Sequence, residues 1–231
     1  MELWTRGRVR EFLEREGRDA ATVGTYCPPG REPGAEWQWL PDSATRSPTG
    51  IFILTLAGTQ VALAPPFKPR PPFEPWQDCL ERVLAQERLV GILLLRLGHY
   101  AVGVAGNEGV VAARSGARYV HGRHRAGGQS QRRWERNREQ WIEKLFDEVC
   151  DRWRSVCGPY GDRMDALAIG GDRIVLGRFF KHCSEVGALH DRVEVRRLPV
   201  DRPGSDAMKA AAEAAWSSVV LRKSSAAEDP L

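Results

Sequence analysis

Arginine is concentrated in one short segment of the chain. Between Arg114 and Arg138 there are eight arginines and one acidic residue, Glu135. The remainder holds 34 − 8 = 26 basic residues against 30 − 1 = 29 acidic ones, so the net charge of +4 comes from this segment. Such an excess is typical of a surface that binds a polyanion, because arginine contacts to phosphates fix position without reading sequence.

A glycine pair followed by glutamine lies at the centre of this segment, as Gly127-Gly128-Gln129. Two adjacent glycines permit backbone dihedrals that other residues avoid, and they let the main chain approach a ligand without a Cβ in the way. Gln129 would then present its backbone N–H and its amide side chain at the tip of a loop. Chance alone gives a Gly-Gly-Gln tripeptide in about one chain of this length in twenty, so the flanking residues decide the interpretation.

Basic and polar residues flank the glycines on both sides. Arginines in the first turns of a helix oppose the helix dipole, at a cost of about 0.3–1 kcal/mol each, so a chain that keeps them there is expected to use them. The histidines beside the loop could serve as acid/base groups or as solvated members of the basic patch. The residues predicted to bind RNA are Arg123, His124, Arg125, Ser130, Gln131, Arg132, Arg133 and Arg136.

The elements around the loop predict an α/β fold. Apolar residues from Trp134 to Val156 recur at steps of three and four, which predicts a long amphipathic helix that Gly158-Pro159 ends. The tryptophans of that helix are expected to anchor a core more often than to stack on bases. Strands alternating with helices favour a mixed sheet. The other predicted strands are 51–56, 59–63, 89–97, 99–105, 110–113, 166–169 and 193–198, and the other helices 75–87, 174–183 and 206–222.

The chain is expected to form one main domain with extensions. Residues 1–45 are predicted to be an N-terminal extension, with a short amphipathic helix within residues 2–16. Residues 46–223 are predicted to be the catalytic domain, a size typical of a single domain. Residues 224–231 are expected to be a disordered tail.

Composition excludes several classes of protein. No apolar run approaches the roughly 18 residues that a membrane span needs, and no secretory signal is visible, so the expected location is the cytoplasm. The Gly170-Gly171-Asp172 turn lacks the lysine and hydroxyl of a phosphate-binding P-loop, and His182-Cys183 is expected to lie on a buried helix face. Without a C-x-x-C pair, the cysteines predict neither a disulfide framework nor a zinc site and are expected to be reduced: Cys27, Cys79, Cys150, Cys157 and Cys183.

The run from Gly122 to Trp134, with the helix behind it, resembles a known group of proteins. It is similar to the Gly-Gly-Gln domain of eukaryotic and archaeal class-1 release factors and, more closely, to the release-factor-like tRNA hydrolases of the Vms and ankyrin-zinc-finger type. The resemblance implies an RNase-H-like mixed sheet flanked by helices, with a projecting Gly-Gly-Gln loop. It implies as partners peptidyl-tRNA and the peptidyl-transferase centre of the large ribosomal subunit.

The same resemblance implies peptidyl-tRNA hydrolysis on stalled ribosomes, because the chain leaves little room for a codon-reading domain. Gly127 and Gly128 would shape the loop, and the backbone N–H of Gln129 would stabilise the oxyanion or the leaving ribose hydroxyl. No cofactor, metal, membrane or DNA is expected to take part, and a monomer is the expected state. Two alternatives stay open: a nuclease that cuts the tRNA near its 3′ end, and a non-catalytic ribosome- or RNA-binding module.

Overall fold

A computed structural model of the chain describes residues 1–56, 58–119 and 129–224, apart from the side chains of residues 129–132 and 192. The chain divides into two compact units, Met1–Gln86 with Trp216–Leu231 and Glu87–Ala215. Each unit contains one five-stranded sheet. Among the described helices, none combines the length and the apolar character that a membrane crossing requires.

The helices and strands follow one another in this order: β1 (Glu2–Trp4), α1 (Arg6–Phe12), β2 (Val23–Cys27), α2 (Asp42–Thr45), β3 (Ile51–Leu56), β4 (Thr59–Ala64), α3 (Trp76–Ala85), β5 (Val90–Arg96), β6 (His99–Gly106), β7 (Gly109–Ala117), α4 (Gln129–Cys157), β8 (Ala166–Gly171), α5 (Arg173–His182), α6 (Ser184–Arg192), β9 (Glu194–Leu198), α7 (Ser205–Ala215) and β10 (Ser218–Ser224). A π-helical turn, Leu13–Gly17, follows α1 directly.

The first unit is built on an antiparallel sheet with strand order β1-β10-β4-β3-β2. The predicted strands 51–56 and 59–63 are confirmed as the antiparallel pair β3 and β4, and the predicted helix 75–87 is confirmed as α3. The predicted helix within residues 2–16 is divided, because the first residues pair with β10 as β1 before α1 begins. The segment expected to be an extension therefore supplies two strands of this sheet.

The predicted helix 206–222 is wrong in its second half. Helix α7 ends at Ala215, and β10 begins at Ser218 and lies between β1 and β4. Val220 pairs with Leu63 of β4 and is 1% exposed. The β-branched pair Val219-Val220 gains more from cross-strand packing than the helical propensity of the preceding alanines can offset.

The second unit contains the mixed sheet that the sequence predicted. Its strand order is β7-β6-β5-β8-β9, with antiparallel pairs from β7 to β5 and parallel pairs from β5 to β9. Helices cover both faces of this sheet, which explains why β5 and β8 are almost continuously apolar. The predicted strands from β5 to β9 and the predicted helices α4 and α5 are confirmed.

The core of the second unit lies between this sheet and one side of α4. Phe146 of α4 packs edge-on against Phe179 of α5, with 5.6 Å between the ring centroids. On the opposite face, a Cβ on Gly103 of β6 would lie 3.1 Å from Sδ of Met208, so α7 packs closely there. The buried residues that α4 contributes to this core are Ile142, Leu145, Phe146, Val149, Cys150, Trp153 and Cys157.

The expectation that all cysteines are reduced is wrong for one pair. Cys150 of α4 and Cys183, between α5 and α6, form a disulfide across 33 residues of sequence. Only the packing of α4 against α5 brings the two together, so local spacing could not reveal them. The other three cysteines are free and buried. Burial raises the pKa of Cys157 to about 12, which makes its thiol a poor nucleophile.

Candidate functional site

The site begins at one edge of the second sheet. Strands β5, β7, β8 and β9 run in the same direction, so their carboxyl ends lie at one edge, which we call the carboxyl edge. The chain leaves this edge after β7 and returns as α4, whose first residue is Gln129. The segment with the glycine pair therefore connects the carboxyl edge to the start of α4.

The structure describes only part of the predicted site. Gly127, Gly128, Arg123, His124 and Arg125 lie outside the described residues. Gln129, Ser130, Gln131 and Arg132 form the first turn of α4, as the backbone shows. Arg133 and Arg136 follow in the next turn, and both are exposed.

The amino-terminal part of α4 extends beyond the core. The helix has 29 residues, which corresponds to about 43 Å. None of the side chains from 133 to 141 is buried, and the first buried one is Ile142. Ile142 is 142 − 129 = 13 residues from the helix start, or about 20 Å along the axis. We call residues 129–141 the amino-terminal arm.

The amino-terminal arm is electropositive. It contains four arginines and two glutamates, 4 − 2 = +2, and its first turn has no acidic residue. The first four backbone N–H groups of a helix have no partner within the helix, and the dipole adds about half a positive charge there. Glu139 forms an ion pair with Arg178 of α5. Its negative charge is therefore partly neutralised by a residue outside the arm. The start of α4 is thus suited to bind anionic groups.

A polar cluster links the end of β7 to the middle of α4. The Tyr100 hydroxyl donates to Glu148 Oε1 over 2.8 Å, and Arg118 Nη1 donates to Glu148 Oε2 over 2.6 Å. The backbone N–H of Arg118 also donates to the carbonyl oxygen of Gly98, at 3.0 Å. The residue that leads into the loop is therefore fixed to both the sheet and the helix. We call Tyr100, Arg118 and Glu148 the anchor cluster.

Charge interactions within the anchor cluster change its proton affinities. Burial alone would raise the pKa of Glu148, but the hydrogen bonds from Tyr100 and Arg118, with the charges of Arg118 and Arg152, outweigh burial and lower the pKa. Burial and the hydrogen bond to Glu148 raise the pKa of Tyr100. Glu148 is therefore a carboxylate near neutral pH, as an anchor for Arg118 requires.

The remaining reactive residues of the unit have structural roles. Cys183 is in the disulfide, so His182-Cys183 has no thiol to offer, and His182 Nε2 lies 2.8 Å from Asp147 Oδ1. Among the described residues, Cys150, Cys183 and Glu185 have ligand atoms within 4.8 Å of one another. Because the disulfide consumes both thiolates, this group is not a metal site in this form.

The family of the chain is decided by a match over its second unit. Residues 88–221, which are 134 of the 231 residues, match the model of the Actinobacteria/chloroflexi VLRF1 release factor family. The chain belongs to this VLRF1 release factor family. The matched region includes the anchor cluster, the glycine pair and all of α4, so the release-factor relationship predicted from Gly122 to Trp134 is confirmed.

This VLRF1 family member is also similar to individual release factors. It is 29% identical over 104 residues to peptide chain release factor subunit 1 of Archaeoglobus fulgidus, a match over 45% of this chain and 26% of that protein. The chain thus spans about a quarter of that relative.

Among solved structures, the archaeal translation termination factor aRF1 aligns with a TM-score of 0.40 at 13% identity, over 88% of this chain and 66% of that one. The Vms1 mitochondrial localization core aligns with a TM-score of 0.41 at 12% identity, over 75% and 77% of the two chains.

Proposed function

We propose that this release factor family member is a peptidyl-tRNA hydrolase that frees nascent peptides from stalled ribosomes or large subunits through Gly127-Gly128-Gln129. The observation that carries the proposal is the position of Gln129 as the first residue of α4, about 20 Å along the helix from Ile142, the first buried one among the side chains that the structure describes. A release factor must deliver a loop into a confined site, and an electropositive helical arm is suited to that task.

The helix start supplies the chemistry that hydrolysis needs. Water attacks the ester carbonyl carbon of peptidyl-tRNA, and negative charge develops on the carbonyl oxygen. Backbone N–H groups in the first turn of a helix have no acceptor within it, so we infer that the Gln129 N–H donates to this oxyanion or to the ribose oxygen that leaves and takes up a proton. The Gln129 amide orients the water, and Gly127 and Gly128 permit the close approach of the backbone.

Arginines beside the loop hold the RNA. Arg133 and Arg136 are exposed on the amino-terminal arm, and Arg132 lies in its first turn. Arg123, His124 and Arg125 precede the glycines, and Ser130 and Gln131 follow Gln129. These side chains bind phosphates of the tRNA end and of ribosomal RNA without reading base identity, which suits an enzyme that meets many tRNAs.

The proposed setting is ribosome rescue or quality control in the cytoplasm. The enzyme works as a monomer without metal or cofactor, because ribosomal RNA surrounds the ester and the protein supplies backbone donors. The proposed catalytic domain, residues 46–223, takes in the whole second unit and part of the first.

The test is peptide release from large subunits that carry a labelled peptidyl-tRNA. Gly128→Ala is expected to abolish release and to leave subunit binding unchanged, because it alters the loop but none of the arginines. Gly158→Ala is the matched control, since a Cβ at Gly158 meets no atom within 4 Å. Release by the Gly128 variant at the wild-type rate would remove the loop from the mechanism.

A further inference from the structure

The connections at the two edges of the sheet in the second unit differ in charge. The described connections at the carboxyl edge, residues 97–98, 118–119, 172 and 199–204, contain two arginines and two aspartates, 2 − 2 = 0. Those at the opposite edge, residues 87–89, 107–108, 158–165 and 193, contain two arginines and four acidic residues, 2 − 4 = −2. The carboxyl edge, whose connections are the less acidic, is the one at which β7 ends before the chain continues to α4.

Four exposed arginines outside the loop and the arm lie at this edge. Arg96 is the last residue of β5, and Arg197 is the next-to-last residue of β9. Arg173 is the first residue of α5, directly after β8, and Arg202 lies between β9 and α7. All four are exposed. We call Arg96, Arg173, Arg197 and Arg202 the carboxyl rim.

Three acidic residues lie near the carboxyl rim, and each interacts with a helix end or with Arg96. The Asp172 side chain caps α5 by accepting from the backbone N–H groups of Ile174 and Val175, at 2.8 and 2.9 Å. Asp201 Oδ1 lies 3.7 Å from Arg96 Nη2. Asp206 is in the first turn of α7, where a carboxylate interacts favourably with the helix dipole.

Three members of the carboxyl rim are uncompensated. Within residues 1–56, 58–119 and 129–224, the side chains of Arg173, Arg197 and Arg202 form no hydrogen bond or ion pair. The Asp172 cap fixes the first turn of α5 and with it the position of Arg173. An exposed guanidinium without a carboxylate partner is suited to bind phosphate oxygens with its planar set of donors.

The carboxyl rim is wide enough for several phosphates. Arg197 of β9 is in register with Leu93 of β5, so it lies two strands across and three residues back from Arg96, about 14 Å away at the usual strand spacing and rise. The whole edge from β7 to β9 measures about 19 Å on the same basis. Tyr119 and Ile174, at this edge as well, are 74% and 77% exposed, and such side chains can pack on ribose or base faces.

We propose that the carboxyl rim is a second RNA-binding surface, distinct from the loop and the arm, on which Arg173, Arg197 and Arg202 bind backbone phosphates of the RNA next to the tRNA 3′ end. This rests on the proposed function, because a loop that enters a site made of RNA brings the edge behind it against RNA. The phosphates belong either to the acceptor stem of the tRNA or to ribosomal RNA.

The test is the salt dependence of binding, measured with deacylated tRNA and with vacant large ribosomal subunits as separate probes. Each lost phosphate contact is expected to lower the slope of log K against log salt by about 0.7–0.9, which is about a 5- to 8-fold loss of affinity at 0.1 M salt. The triple variant Arg173→Gln, Arg197→Gln, Arg202→Gln should therefore lower the slope by about 2–3. Arg163→Gln, at the opposite edge, is the control and should leave the slope unchanged.

A lower slope with tRNA supports the acceptor stem as the ligand, and a lower slope with subunits alone supports ribosomal RNA. Slopes equal to those of the Arg163 control with both probes would overturn the inference. The rim would then not bind RNA, and a protein would be its remaining partner. Peptide release measured on the same variants separates this result from the proposed function. Wild-type release with unchanged slopes refutes the rim alone, and rim-dependent binding without any wild-type release refutes the hydrolase alone.

Discussion

At the scale of single residues, the start of α4 joins two properties that usually oppose each other. Arg132 and Arg133 lie where the helix dipole disfavours cations, by about 0.3–1 kcal/mol each. A bound phosphate reverses the sign of that interaction, because it is attracted by the helix end and by the arginines together. The arrangement is therefore mildly unfavourable in the free protein and favourable on RNA.

The anchor cluster makes a prediction about Glu148. Glu148→Gln is expected to destabilise the protein by about 1.5–3 kcal/mol at neutral pH, because Arg118 and Tyr100 lose a charged acceptor. The folded-state pKa of Glu148 is lowered, so this stability is present above the unfolded value of about 4.3 and is lost as pH falls below it. Denaturant unfolding at pH 7 and at pH 3 measures both effects.

The control for Glu148 is Glu143→Gln, an exposed carboxylate on the same helix, with an expected change within about 0.5 kcal/mol. A Glu148 variant as stable as this control at pH 7, or a difference that does not shrink at low pH, would contradict the anchoring role.

Residues that act locally could be predicted from the sequence, and residues that act through distant partners could not. Gly127-Gly128-Gln129 and the arginines around it are recognised by order and charge alone. Glu148 contacts residues 48 and 30 positions away, so nothing near it in the sequence marks it as an anchor. Arg173 and Arg197 likewise lie at the same edge of the sheet only because β8 and β9 are parallel neighbours.

At the scale of elements, α4 has two parts with different functions. Its second half carries the core, and its first half carries no buried side chain among residues 133–141. The apolar periodicity predicted the packed half and the end at Gly158. The boundary between the arm and the packed part of α4 depends on where the sheet ends. The apolar periodicity of the helix sequence does not contain that information.

This division predicts unequal effects of substitutions along α4. Asn137→Pro should disrupt the arm and abolish peptide release. The usual cost of a proline inside a helix is about 3 kcal/mol, but the free energy of global unfolding should fall by less than about 1 kcal/mol, because an arm outside the core can unfold locally. Leu145→Ala, at a fully buried position, should lower it by about 2–5 kcal/mol. Global destabilisation by the proline variant equal to that of Leu145→Ala would show that the arm is part of the core.

The disulfide between α4 and the α5–α6 connection predicts a contribution to stability. Closing a loop of 33 residues restricts the unfolded chain by about 3–4 kcal/mol. The double variant Cys150→Ser, Cys183→Ser should lose about this amount in denaturant unfolding, and a reductant should then have no further effect. Equal stability of the wild type in oxidising and reducing buffer would show that the bond does not form in solution.

At the scale of the whole molecule, the two ends of the chain meet in one sheet. Strand β10 comes from the C-terminal part and lies between β1 and β4. Neither the pairing of β1 with β10 nor the presence of two sheets could be predicted, since strand periodicity does not identify partners. The mixed sheet of the second unit could be predicted, because its strands follow one another with short connections or a single helix between them.

Removal of the last strand is therefore expected to destabilise the sheet of the first unit and not that of the second. A chain that ends at Ala215 lacks β10, and Leu63 and Val61 of β4 lose their cross-strand neighbours. Amide hydrogen exchange should show lost protection in β1 to β4 and retained protection in β5 to β9. A chain that ends after Ser224 keeps β10 and is the control. Equal loss in both sheets of the chain ending at Ala215 would show that the two units fold only together.

The central claim is that the backbone N–H of Gln129 does the chemistry at the start of α4. Proline is accepted at the first position of a helix and has no N–H, whereas alanine keeps the N–H and removes the side-chain amide. The deciding measurement is product analysis with large subunits carrying labelled peptidyl-tRNA, for the wild type, Gln129→Pro and Gln129→Ala, resolving free peptide, intact tRNA and shortened tRNA.

We expect free peptide and intact tRNA from the wild type. Gln129→Pro should be slower than Gln129→Ala, by about 10²–10³-fold if the N–H is the main oxyanion donor. Equal rates for the two variants would contradict the backbone mechanism. Shortened tRNA from the wild type would show a nuclease, and binding without either product would show a module that does not catalyse release.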